Sequence, residues 1–172
     1  MTDGGGTMVI LGIDPGTAIT GYGVISHQGN HLKYIACGVI RTDSKLPTAD
    51  RLIEIHRQLD EIIKAYHPDA AAVEELFFNR NVTTALTVGQ ARGVVLLTLA
   101  TAGLPIAEYT PLQVKQAVVG YGRAEKNQIQ EMVRMLLCLP EVPKPDDAAD
   151  ALAIAICHAH SRKVNGISLS NL

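Results

Sequence analysis

The chain has 172 residues, 47% of them apolar, with a mean hydropathy of +0.15; a chain of this length suits one domain and buries about 70% of its unfolded surface. Its formal charge of −2 excludes a binder held to nucleic acid by net charge alone, so any basic surface must be local. No uninterrupted apolar run reaches the roughly 18 residues that span a bilayer, and the start, Met1 to Thr7, has neither a basic n-region nor an apolar h-region, so no membrane association is expected and a cytoplasmic location is.

Residues 1–7 read as a flexible Gly-rich lead, 8–163 as a single domain and 164–172 as a C-terminal tail. Val9–Ile13, Tyr22–Ser26 and Leu32–Arg41 read as three strands, divided by the turns Pro15-Gly16-Thr17 and Gln28-Gly29-Asn30. Connections this short make antiparallel neighbours. Pro47 introduces a helix to about His67, with Leu52, Ile55, Leu59, Ile62 and Ile63 at helical spacing. Pro68-Asp69 ends it and a fourth strand, Ala70–Glu75, follows. The helix Val82–Ala102 is apolar on most sides and carries Gly89 and Gly93 four apart. It is expected to be buried on more than one side, either as a plain central helix or with a two-fold partner over the face one small domain leaves. Leu104–Tyr109 makes a fifth strand, and Thr110-Pro111 reads as an N-cap with proline at the first helical position. Helices then follow at Leu112–Val119, Ala124–Leu139 and Asp146–Lys163. Helical crossovers late in the chain imply parallel strands, so the fold class is α/β, a five-stranded mixed sheet flanked by helices. Cys37, Cys138 and Cys157 are odd in number and far apart, which suits reduced thiols.

Ligand sites in such sheets lie beyond the carboxyl ends of strands. Asp14 ends the first strand and Glu74 or Glu75 the fourth, while Asp146, Asp147 and Asp150 open the last helix. Each has a plain alternative. Asp14-Pro15-Gly16 is a turn sequence, Glu74 could be an exposed strand end, and acids in a first helical turn complement the helix dipole. Alternation puts Glu74 with Ala72 on one face and Glu75 with Val73 on the other, without choosing between them. The dipole accounts less well for Asp150, which lies among Ala148, Ala149, Ala151 and Leu152 with no basic residue ahead of it at helical spacing. None of these acids has an evident basic partner nearby in sequence. Converging carboxylates repel unless they share a cation, a geometry suited to Mg²⁺-dependent phosphoryl chemistry.

Together, Leu11-Gly12-Ile13-Asp14-Pro15-Gly16, Thr20-Gly21-Tyr22-Gly23-Val24-Ile25, Val73-Glu74-Glu75-Leu76-Phe77, Gly89-Gln90-Ala91-Arg92-Gly93, Val114-Lys115-Gln116, Gly120-Tyr121-Gly122 with Ala124-Glu125-Lys126, and Asp147-Ala148-Ala149-Asp150-Ala151-Leu152-Ala153 resemble the RuvC family of Holliday-junction resolvases. The similarity runs in order from about Met8 to Ser161. It implies a ribonuclease H-like nuclease domain that resolves four-way DNA junctions in recombination and repair by symmetric paired nicks. Asp14, Glu74, Asp147 and Asp150 would be both catalytic and metal-binding, holding two Mg²⁺ per site, with Mn²⁺ as the alternative ion. The resemblance also implies a homodimer and, as partners, the branch-migration proteins RuvA and RuvB. Lys115 and Lys126 match lysines at the scissile phosphate. Arg80 and Arg123 are further candidates for phosphate contact, Arg92 for a phosphate contact or an internal pair, and Arg134 for a solvated helix face. Phe77 matches an aromatic that would stack on an unpaired base at the junction centre; Tyr121, between two glycines, would stack likewise or pack in a turn. His158 and His160 diverge on their helix and are expected as core or surface histidines rather than ligands.

Gly12-Ile13-Asp14-Pro15-Gly16-Thr17 also looks like the first phosphate loop of actin-like ATPases and sugar kinases, but those need a second related domain and a second loop. A nuclease for RNA or plain duplex, and a junction-binding protein without catalysis, are the other readings.

Overall fold

The computed structural model describes residues 6–75 and 82–166, with side chains to Arg162. Strand β1 (Met8–Asp14) pairs antiparallel with β2 (Ile19–Gln28), and β2 pairs antiparallel with β3 (His31–Arg41). Helix α1 (Thr48–Tyr66) then returns the chain so that β4 (Ala70–Glu74) lies parallel to β1. Helix α2 (Val82–Thr101) leads to β5 (Ile106–Tyr109), parallel to β4. Helices α3 (Pro111–Val119), α4 (Lys126–Leu136) and α5 (Asp146–Gly166) complete the domain. The sheet order is β3-β2-β1-β4-β5, a mixed sheet as expected. The last helix runs three residues past its expected end at Lys163.

Side chains alternate across a strand, and the two cores follow that period. Ile10, Ile25 and Ala72 face α5 with Val114, Val118 and Val133 behind it. Leu11, Ile13, Val24 and Val73 face the other way, onto Ile55, Leu59, Val95 and Leu99 of α1 and α2. Ala148, Ala149 and the stretch Ala151 to Cys157 of α5 are almost wholly buried, because α5 lies on the sheet with one side and takes α3 and α4 on the other. Fully burying a residue such as Leu152 or Ile156 contributes about 1.5–3 kcal/mol.

Glycines set how near α5 can come. Gly12, Gly21 and Gly23 share its face of the sheet, and a Cβ on Gly23 would come within 2.7 Å of the Leu152 nitrogen. A Cβ on Gly12 or Gly21 would meet the carbonyl oxygen of Ala151 or Asp147 closer still. The helix therefore rests on bare backbone beside the end of β1.

Helix α2 departs from expectation. It buries one stripe, Ala91, Val95, Thr98 and Leu99, while Val82, Leu86 and Leu97 are 85%, 65% and 65% exposed. Nothing lies within 4 Å of where a Cβ on Gly89 or Gly93 would stand. Among the described residues it is thus covered on one side only. No uninterrupted run is long enough to span a bilayer, yet the 20-residue helix averages a hydropathy of 1.3, enough by length and composition alone. Arg92 within it pairs with Glu108 of β5, which holds the helix to the domain.

Candidate active site

The turn after β1 is closed by a hydroxyl. Thr20, fully buried, donates to the Gly16 carbonyl at 2.6 Å and accepts the Gly16 N–H at 3.2 Å. Asp14 therefore enters a closed turn and is at the same time a candidate site residue. Parallel pairing of Ile13 with Val73 sets Glu74 beside Asp14 at the neighbouring strand end. Glu74 shares the parity of Ala72, on the α5 face, whereas Glu75 shares that of Val73, on the opposite face. Register thus selects Glu74. The start of α5, held down on Gly21, brings Asp147 and Asp150 near enough to act on Asp14.

Electrostatics report the convergence. Burial first, then Glu74, Asp150 and Asp147, push the Asp14 carboxyl up to about 8. Glu74 is raised by burial and by Asp150, against a hydrogen bond from Asp14 and the nearby Lys115. Asp150 is raised chiefly by burial, offset by Lys126. Ionisation is resisted at Asp14, Glu74 and Asp150 because each is buried and has acidic neighbours.

The sequence offered these acids no basic partner, and the fold supplies one. Lys126 Nζ, from the first residue of α4, lies 3.5 Å from Asp150 Oδ2 and 3.3 Å from Asp146 Oδ2. Lys144 adds a 3.4 Å contact to Asp146. Asp146 thus turns to lysines, while Asp147 acts on Asp14. A cleft of about 190 Å³ is lined by Glu74, Asp150, Lys115 and Lys126 together with apolar residues of α3 to α5, so both expected lysines meet the acids.

Other candidates divide. Phe77 and Arg80 lie outside the described residues. Arg123 is exposed in the connection between α3 and α4. Tyr121, 47% exposed, lines a separate groove with Met132 and Met135 rather than the carboxylate cleft. Arg134 pairs with Glu131 on α4. His158 Nδ1 is 2.8 Å from the Tyr109 hydroxyl and His160 Nδ1 is 2.9 Å from the Ala117 carbonyl, so both histidines have structural partners. Arg92 is internal: Nη2 lies 2.9 Å from Glu108 Oε1 and Nε donates to the Glu74 carbonyl at 3.3 Å. Reading the sequence missed the carbonyl contact and the seating of α5 on glycines, although Gly12 has the parity of Asp14, and Gly21 and Gly23 alternate.

Among the described residues no three acid, histidine or cysteine groups already surround one point as ligands. The donor set nonetheless fits a hard divalent cation, since the carboxylates of Asp14, Glu74, Asp147 and Asp150 offer the oxygen ligands such an ion takes.

Known proteins share this sequence and fold. Residues 10–158 match the family model for crossover junction endodeoxyribonuclease RuvC. The chain is 68% identical over 154 residues to the crossover junction endodeoxyribonuclease RuvC of Heliobacterium modesticaldum, covering 90% of this chain and 95% of that one. Its counterpart in Pelotomaculum thermopropionicum is 61% identical, with 89% and 93% covered. Among solved structures, T. thermophilus RuvC in complex with a Holliday junction substrate superimposes with a TM-score of 0.87 at 40% identity, covering 92% of this chain and 96% of that one. The yeast mitochondrial Holliday junction resolvase Ydc2, at a TM-score of 0.69 and 11% identity, covering 92% of this chain and 80% of that one, shares the fold. With relatives this similar over nine-tenths of its length, the chain belongs to the RuvC family of crossover junction endodeoxyribonucleases.

Proposed function

We propose that this protein resolves four-way DNA junctions by paired, symmetric hydrolysis of two phosphodiesters, with Asp14, Glu74, Asp147 and Asp150 as the catalytic, metal-holding carboxylates. The observation that carries the reading is their convergence, expressed in an Asp14 carboxyl pushed up to about 8 by burial and its acidic neighbours. The junction bound by T. thermophilus RuvC supports the substrate.

A divalent metal is a property of the family; here we take it to be Mg²⁺, with Mn²⁺ as the alternative, two ions per site. Bound there, such ions supply charge compensation and Lewis acidity for attack of water on phosphorus and departure of the 3′ oxygen. The chain's own part is to hold and orient. Asp14 and Glu74 come from paired strand ends, which fixes their separation. Asp147 and Asp150 come from a helix seated on glycine backbone. Lys115 and Lys126, on the rim of the cleft, offer ammonium groups to the scissile phosphate. Lys126 would exchange its Asp150 contact for that phosphate. Arg80 and Arg123 would add phosphate contacts, and Phe77 and Tyr121 stacking surfaces.

The exposed apolar face of α2 supports a homodimer, because burying Val82, Leu86 and Leu97 against a second copy removes the largest solvent-exposed side chains of that helix. A two-fold dimer presents two sites to a nearly two-fold junction. A cytoplasmic location and work alongside RuvA and RuvB complete the proposal.

The test is cleavage of a mobile four-way junction against linear duplex and RNA–DNA hybrid, with and without Mg²⁺, for wild type and Asp14→Asn. Expected are paired nicks in the junction alone, lost in the variant while junction binding persists. The variant should also melt a few degrees higher in chelator, since it removes an acid whose ionisation the fold resists, at about 2–4 °C per kcal/mol for a chain this size. Cutting of hybrid or duplex would overturn the substrate; loss of binding in Asp14→Asn would give Asp14 a structural role.

A further inference from the structure

Helix α2 is tied to both strand ends that carry the carboxylates. Arg92, with an 18% exposed side chain, donates from Nε to the Glu74 carbonyl at 3.3 Å, and its Nη2 lies 2.9 Å from Glu108 Oε1. Thr17, three residues past Asp14 and 7% exposed, donates its hydroxyl to the Thr87 carbonyl of α2 at 2.9 Å. The Thr17 carbonyl in turn accepts from the Thr42 hydroxyl at 2.7 Å. Otherwise α2 packs chiefly on α1 and touches the sheet lightly.

These bonds fall where the sheet ladder is running out. Beyond Glu74 it continues through one bond, Glu75 N–H to the Tyr109 carbonyl at 2.8 Å. That N–H and the Glu74 carbonyl belong to one peptide unit, so Arg92 on the carbonyl is the second tie that fixes its plane, and with it the direction of the Glu74 side chain. The Asp14 turn is fixed from inside by Thr20 and from outside by Thr17.

We infer that Arg92 and Thr17 are positioning residues for the carboxylate site, clamping the ends of β4 and β1 to α2 so that Glu74 and Asp14 present their oxygens to a cation in one fixed relation. The inference rests on the proposed metal-binding role of those carboxylates. Groups that orient ligands without touching the ion typically change its affinity 10- to 100-fold.

Arg92 allows a test by sign. Removing a positive charge near four carboxylates should, by charge alone, tighten cation binding. Losing the clamp should loosen it. Mn²⁺ alone would be titrated calorimetrically into the DNA-free protein for wild type, Arg92→Gln, Arg92→Lys, Thr17→Val and Asp14→Asn, with a melting curve for each. We expect Arg92→Gln to weaken Mn²⁺ binding about 10-fold despite the lost charge. Arg92→Lys, which keeps the charge but not the Nε donor, should be weaker than wild type, and so should Thr17→Val, which changes no charge and little shape. Equal or tighter binding in a folded Arg92→Gln overturns the role of Arg92. If that variant does not fold, the lysine and Thr17 variants decide, and wild-type affinity in both overturns the inference. A wild type that binds no Mn²⁺, or an Asp14→Asn that binds it as well as wild type, sinks the metal site itself and the clamp with it.

Discussion

A carboxylate such as Asp14, buried beside other acids, costs the fold stability, and that cost is what an exposed turn acid would not carry. Legibility at this scale was uneven. The type and sequence position of all four acids could be read from the chain, because Asp14 and Glu74 end apolar strands and Asp150 interrupts an apolar helix. Choosing Glu74 over Glu75 required the register of β4 against β1, a long-range fact that alternation alone does not contain. The lysine at Asp150 was invisible for the same reason, since Lys126 is 24 positions away and on another helix. His158 shows the opposite case, a titratable group explained by packing. Burial first, then Arg162 and His27, lower its pKa below the ordinary 6.5. Its Nε2 is buried and has no hydrogen-bond partner among the described residues. The unfolded chain therefore binds a proton at His158 that the folded chain resists, and stability should fall as pH drops below about 6.5, by at most about 1.4 kcal/mol per pH unit. Melting temperatures from pH 7.5 down to 5 should show a shallower slope for His158→Gln. Equal slopes would place the acid sensitivity elsewhere.

Elements were more legible than their fit. All five strands and five helices lie where hydrophobic period, turn residues and Thr110-Pro111 put them, and the short β1-β2-β3 connections gave antiparallel pairs. The sequence pattern could not say how closely an all-apolar α5 approaches the sheet, because that depends on which residues face each other across layers. Gly21 pairs with Asp14 across the β1–β2 ladder and lies under Asp147, and Gly23 lies under Leu152, further along α5. Alanine at either position forces the helix to move, at about 1–3 kcal/mol. Only Gly21→Ala moves it at the carboxylates. Both variants should melt lower by comparable amounts, while junction cleavage well below the melting temperature falls at least tenfold in Gly21→Ala and stays near wild type in Gly23→Ala. If the two lose activity equally, the close seat of α5 serves stability and not the geometry of the site.

At the scale of the whole molecule, α2 is where shape and activity meet. One of its stripes is buried in the core, Arg92 and the Thr87 carbonyl bind the strand ends, and Val82, Leu86 and Leu97 remain exposed. An all-apolar pattern signals that a helix is covered on several sides but not by which chain, and so the second cover could be expected from the sequence without being located. In a two-fold dimer every substitution on that face acts twice. Leu97→Lys, losing roughly 1.5 kcal/mol of burial per copy, should weaken dimerisation by roughly 3 kcal/mol, about 100-fold, as read by sedimentation equilibrium. The variant leaves the carboxylates and both clamps untouched, so each separated subunit keeps its site but cannot present it in register with a second. Nicked junctions should then accumulate as single, unpaired incisions, and raising protein concentration above the new dissociation constant should restore pairing. Paired incision by a Leu97→Lys protein that sediments as a monomer would show that symmetry of the enzyme is not what pairs the cuts. A dimer unaffected by the change would move the interface off α2.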